Sequence, residues 1–152
     1  MTRLVLAALH LIALGIGLGA VWARSRSLGG SVGPAEARRA LTADAWWGAA
    51  AALWLVTGLW RLFGETEKPS AYYFDNHVFL AKLGLFALVV ILEISPMLAL
   101  MRWRKALARG ETPSFAEARR ISAISVVEAV LVIAIVAAAV AMARGFGASS
   151  PA

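Results

Sequence analysis

Four apolar runs dominate this chain, and each approaches or exceeds the roughly 20 residues that a helix needs to cross a bilayer. They extend over Leu4–Trp22, Ala45–Phe63, His77–Met101 and Ile121–Ala143. In lipid every backbone N–H and C=O must be satisfied within the segment, so runs of this length are expected as helices. The sequence therefore predicts an all-α integral membrane four-helix bundle forming one membrane domain over residues 1–152. Composition agrees with this. Hydrophobic residues make up 61% of the chain and charged ones 16%, against about a quarter in a soluble domain. The absence of cysteine removes disulfides, zinc–thiolate sites and iron–sulfur clusters from consideration.

Between the runs lie loops of unequal charge. The segment Ala23–Asp44 carries Arg24, Arg26, Arg38 and Arg39, and the third loop carries Arg102, Arg104, Lys105, Arg109, Arg119 and Arg120. The second loop instead holds Glu65, Glu67 and Asp75 against Lys68. Basic residues collect on the cytoplasmic side, which puts loops one and three inside and both termini on the outer, periplasmic side. The expected location is a bacterial inner (plasma) membrane, crossed four times. The net charge of +6 is then explained by these loops, with no nucleic acid as partner. The bilayer is the expected partner, with anionic lipid at the basic cytoplasmic loops. A signal-peptide reading of the first run, ending near Val21-Trp22-Ala23, would require the arginine-rich segment to be translocated against this bias.

Gly29, Gly30, Gly33 and Pro34 break the first loop. Pro34 to Leu41 reads as a short amphipathic surface helix, and Asp44 as the N-cap of the second span. Gly15 and Gly19 form a GxxxG pattern with Gly17 between them, which points to close helix contact within the bundle or to a dimer. Trp46, Trp47, Trp60 and Trp103, with Tyr72 and Tyr73, fall where interfacial aromatic belts are expected, and Trp54 lies nearer the middle.

Ionisable groups inside hydrocarbon are costly and mark candidate sites. From the topology, His10, Lys82 and Arg61, with His77 at the margin, form an outer layer; Glu93 and Glu128 form an inner acidic one. Lys82 and Glu93 share a face of the third span, and Pro96 lies one turn beyond Glu93. Bland roles compete at each position. Lys82 can snorkel, Arg61 can anchor at the interface, His10 can bond another helix, and the two glutamates can pair with Arg24 or Arg102. No nucleotide-binding loop, nucleophile constellation or zinc spacing occurs, so no motif supports catalysis.

The order of motifs carries a resemblance. Leu9-His10-Leu11-Ile12-Ala13-Leu14-Gly15 opens the first helix, and Arg24-Ser25-Arg26-Ser27-Leu28 closes it. Asp44-Ala45-Trp46-Trp47-Gly48 and Thr57-Gly58-Leu59-Trp60-Arg61-Leu62-Phe63 follow. Then come Tyr73, Asn76, Phe79, Lys82-Leu83-Gly84-Leu85-Phe86, Pro96 and Trp103-Arg104. The series resembles the bacterial inner-membrane protein family catalogued as domain of unknown function 2214, which implies a fold and a location but no activity. More loosely the chain is similar to HemJ-type protoporphyrinogen oxidases and CopD-like membrane proteins. That likeness implies haem b at His10, as iron ligand, with Lys82 and Arg61 toward the propionates. Three functions stay open: a haem-binding or redox-linked protein, an ion- or proton-handling small transporter working as a homodimer, and a non-catalytic component of a larger membrane complex.

Overall fold

The computed structural model describes residues 1–64 and 75–147, apart from the side chain of Thr2. Glu65, Glu67, Lys68, Tyr72 and Tyr73, used above for charge and belts, lie outside the described residues. The described chain forms four helices: α1 (Thr2–Leu28), α2 (Pro34–Phe63), α3 (His77–Ala108) and α4 (Ala118–Ala143).

Helix ends differ from the sequence expectation, for local reasons. Nothing after Trp22 breaks the first helix before Gly29 and Gly30, so α1 continues through Arg24 and the connection shrinks to residues 29–33. Pro34, pre-set for a first turn, starts α2, and the Gly33 N–H donates to the Glu36 carboxylate at 3.1 Å. The expected short surface helix and the second span are one continuous helix, because no Gly or Pro lies between Leu41 and Ala45. Asp44 is accordingly not an N-cap but sits in the middle of α2, where its side chain faces α1. Asn76 caps α3, accepting from the Val78 and Phe79 N–H groups at 2.9 and 3.1 Å. Arg102, Arg104 and Lys105 ride on extra turns of α3, which runs unbroken through the buried Pro96.

α1 and α2 run antiparallel in close register. His10 meets Trp54 and Thr57, a Cβ at Gly17 would touch Trp47 and Ala50, and Arg24 meets Asp44. That register covers about 20 Å at roughly 1.5 Å per residue. Gly17, not the GxxxG pair, provides the close approach: its Cβ would lie 3.3 Å from the Trp47 ring, while Gly15 and Gly19 have open space around them. α1 also packs on α4, and α4 on α3, whereas α2 and α3 touch only sparingly. The bundle is thus closed on three sides and thin on the fourth.

Large aliphatic side chains such as Ile12, Ile16, Leu55, Leu59, Ile91, Ile94, Val130 and Ile133 are exposed on the outer faces. A girdle of this kind suits lipid, not water. α1, α3 and α4 are each long and apolar enough to cross a membrane; α2, whose apolar part contains four tryptophans, Thr57 and Arg61, is less hydropathic. Two of the tryptophans expected in belts are core residues. Trp47 is 6% exposed and Trp103 only 2%, while Trp46 and Trp60 are more than half exposed.

Two apolar clusters divide the interior along its length. One, at the end bearing the 29–33 loop, holds Leu28, Ala40, Leu100, Trp103 and Ile121. The other holds Val21, Trp47, Val89, Val132 and Ile135. Every helix carries a polar side chain between these clusters: Arg24 on α1, Asp44 on α2, Glu93 on α3, and Ser125 with Glu128 on α4.

Candidate functional site

Between the two clusters lies a single guanidinium. Arg24, on α1, has no solvent exposure. Its Nε donates to Ser125 Oγ at 2.9 Å, and Ser125 in turn donates to the Ile121 carbonyl of α4. Its Nη1 donates to Asp44 of α2 at 2.9 Å and to Glu93 Oε1 of α3 at 2.8 Å. Its Nη2 donates to Glu93 Oε2 at 2.7 Å and to Glu128 Oε2 of α4 at 2.6 Å. Glu93 therefore grips both terminal nitrogens as a fork, the strongest geometry open to this pair. All four helices are tied to one side chain.

Helical spacing builds the arrangement. On α1, Val21, Arg24 and Leu28 follow one another on one face, one in each apolar cluster and the arginine between. α4 repeats the pattern with Ile121, then Ser125 and Glu128, then Val132. Residues three and four apart share a helix face, so an apolar–polar–apolar order in sequence becomes one in depth.

The charges do not cancel. Three carboxylates converge on one cation, a formal excess of two negative charges. Arg104 adds a looser partner, its Nη2 3.7 Å from Asp44 Oδ2, from a largely exposed position. Glu128 Oε1 is buried and has no hydrogen-bond partner among the described residues. A buried oxygen left in that state calls for a proton, a water or an ion. Asp44 and Glu93 are 17% and 20% exposed, on the side where α2 and α3 barely touch, whereas Glu128 is sealed. Among the described residues no group of three or more His, Cys, Asp or Glu is arranged to hold a metal ion. Here the guanidinium stands where a cation would.

The sequence-expected inner layer of Glu93 and Glu128 is thus brought together on Arg24. Of the two arginine pairings open from the sequence, the glutamates take Arg24, while Arg102 bonds Glu117 at 2.7 Å. The sequence does not show that Asp44 joins them, since that residue reads as a cap at the edge of the second span.

The outer set is placed differently. His10 is half-buried between α1 and α2. Its Nε2 accepts the Trp54 indole N–H at 2.7 Å, and its Nδ1 lies 2.9 Å from Thr57 Oγ1. The indole can only donate, so Nε2 is the unprotonated nitrogen and Nδ1–H donates to the threonine. The Thr57 hydroxyl in turn donates to the Leu53 carbonyl at 2.7 Å. A haem iron would need one of these ring nitrogens, and both are engaged, so the histidine as placed does not fit axial ligation. Lys82 carries its ammonium 5.1 Å from the centre of the Phe79 ring. Arg61 is half-buried one turn beyond Thr57. Trp54 stacks edge-on against Phe86 of α3, which continues the His10–Trp54 contact toward the third helix.

Outside the apolar core, charges are ordinary. Arg109 holds Glu111 through paired bonds of 2.8 Å, which keeps that carboxyl below its usual range. Glu36 is likewise lowered by backbone N–H groups at the start of α2.

No curated protein and no solved structure matches the chain, so the looser likeness to HemJ-type and CopD-like proteins gains no support from either. A family model does match, over residues 2–147, and its description agrees with a bundle whose polar groups lie inside and whose apolar groups face outward: the chain belongs to the family described as predicted membrane protein (DUF2214).

Proposed function

We propose that this is a proton-handling membrane protein whose Arg24 cluster holds an exchangeable proton. One observation carries the reading: three carboxylates share one buried guanidinium, and one oxygen of Glu128 has no hydrogen-bond partner among the described residues. A permanently charged arginine neutralises one carboxylate. The remaining excess charge, in an apolar surround, is cheapest to remove by binding a proton. Asp44 and Glu93 are the groups in contact with the surroundings, and Glu128 is the sealed terminus of the chain of bonds.

On this reading the chain crosses the bilayer four times. The antiparallel register of α2 along α1 supports counting α2 as a span despite its lower hydropathy. Nine basic residues, from Arg26 to Arg120, are exposed at the end bearing the 29–33 and 109–117 connections, which supports a cytoplasmic assignment for that end and a bacterial inner-membrane location. The cluster then lies within the inner half of the membrane.

Infrared difference spectra of the protein in liposomes, recorded across a pH titration, test the site. The expected result is a protonated-carboxyl stretch that titrates and is lost or moved in Glu128→Gln or Glu93→Gln. A spectrum without such a band, or one indifferent to both substitutions, overturns the reading. Proton flux into proteoliposomes separates a transporter from a proton-binding subunit of a larger complex. The transporter version requires flux that Glu93→Gln with Glu128→Gln abolishes. The haem or redox alternative is not favoured, given the bonds that His10 makes.

A further inference from the structure

An open groove of about 750 Å³ runs along α2 toward the loop end, bordered by α3. Its lining is Arg38, Leu41, Thr42, Ala45, Trp46 and Ala49 of α2, with Arg104 of α3. Residues 38, 42, 45 and 49 recur at helical spacing, so one strip of α2 passes from cationic to hydroxylic to apolar over about 16 Å.

The two guanidiniums are available to an anion in different degrees. Arg38 is exposed and makes no ion pair with any described residue. Arg104 reaches Asp44 Oδ2 only at 3.7 Å, while Arg24 holds the other oxygen of that aspartate, Oδ1, at 2.9 Å. A phosphate oxygen would give both arginines direct, charge-assisted hydrogen bonds, for which the guanidinium fork is well shaped. Trp46 is 58% exposed beside the groove, an indole at the level where the polar and apolar parts of the lining meet.

From this geometry we infer that the α2/α3 groove is a binding site for one anionic phospholipid, with phosphate on Arg38 and Arg104 and the first part of an acyl chain along Ala45, Trp46 and Ala49. The volume accepts a headgroup and the start of a chain, not a whole lipid. Charge complementarity at one end and apolar lining at the other select this occupant over a protein segment, which would leave one end unmatched. The assignment does not depend on proton binding at Arg24.

Trp46 reports on its own groove. The protein is placed in phosphatidylcholine vesicles in which either phosphatidylglycerol or phosphatidylcholine carries brominated chains that quench indole fluorescence. The Trp46 signal is the difference between the parent and Trp46→Phe. At about 1 kcal/mol per basic residue near the surface, and with Arg104 shared with Asp44, brominated phosphatidylglycerol is expected to quench at roughly tenfold lower mole fraction. Arg38→Gln, which breaks no ion pair among the described residues, should reduce the preference several-fold. Arg38→Gln with Arg104→Gln should remove it. Millimolar inorganic phosphate should leave quenching unchanged. Equal quenching by the two lipids in the parent, a preference that survives both substitutions, or displacement by free phosphate would each overturn the lipid assignment.

Discussion

Replacing Arg24 by Gln removes the buried charge that Asp44, Glu93 and Glu128 share, together with five hydrogen bonds of 2.6–2.9 Å. Removing one member of a buried ion pair typically costs 3–5 kcal/mol, because the partner is left charged and unpaired. Glutamine keeps a donor, so the lower part of the range is expected, about 3 kcal/mol. For a chain of this length that corresponds to a midpoint lowered by roughly 6–12 °C, taking the scaling for soluble domains. Thermal unfolding in mild detergent, followed by tryptophan fluorescence, reads it, since Trp47 lies one turn from Asp44 in the adjoining apolar cluster. Two further arms make the cause visible. Glu128→Gln keeps the shape and removes one excess charge, and should leave stability within about 1 kcal/mol of the parent. Lower pH should narrow the deficit of Arg24→Gln, since protonated carboxyls need no counter-charge. If Arg24→Gln costs under about 1 kcal/mol, or Glu128→Gln is equally damaging, the charge argument fails.

Other expectations follow from the same contacts. Purified protein should show no Soret band, and His10→Ala should cost about 1–3 kcal/mol through its two lost hydrogen bonds; a haem spectrum removed by that substitution would contradict the placement of His10. Gly17→Val should destabilise by roughly 1–3 kcal/mol against Trp47, with Gly15→Ala and Gly19→Ala near neutral, all read by the same thermal assay. Asn76→Ala should cost about 1–2 kcal/mol, because one side chain caps α3 and also donates to the Phe146 carbonyl. Glu111 should titrate below an ordinary glutamate by NMR and return to the usual range in Arg109→Ala. Its folded value is the lowered one, so whatever it contributes is present at neutral pH and is lost as pH falls through that value.

The helices were legible because spanning runs are long and loops are marked by Gly, Pro and charge. Their ends were less so. Arg24 follows an apolar run and looks like a cytoplasmic charge, yet α1 carries it one turn further and turns it inward, a fact decided by Asp44, Glu93 and Ser125 on three other helices. Asp44 looked like a cap because aspartate favours that position, but its partner lies twenty residues earlier. Glu93 and Glu128 could be read from sequence, since carboxylates within apolar runs stand out. Trp47 and Trp103 were misplaced for the opposite reason: the same residue type serves belts and cores, and only the neighbouring helix decides. His10 was recognised as unusual, while the Trp54 and Thr57 partners that satisfy it became visible only with the register of α1 against α2.

The polar centre also imposes an order on biogenesis. Arg24 is synthesised 20 residues before Asp44, but 69 before Glu93 and 104 before Glu128. The first hairpin can therefore enter the bilayer as a neutral arginine–aspartate pair, with its charge settled before the second half exists. The third and fourth helices each bring a carboxyl to a cation already matched. They join most cheaply if those carboxyls arrive neutral, which on the proposed reading is how the cluster would acquire its protons.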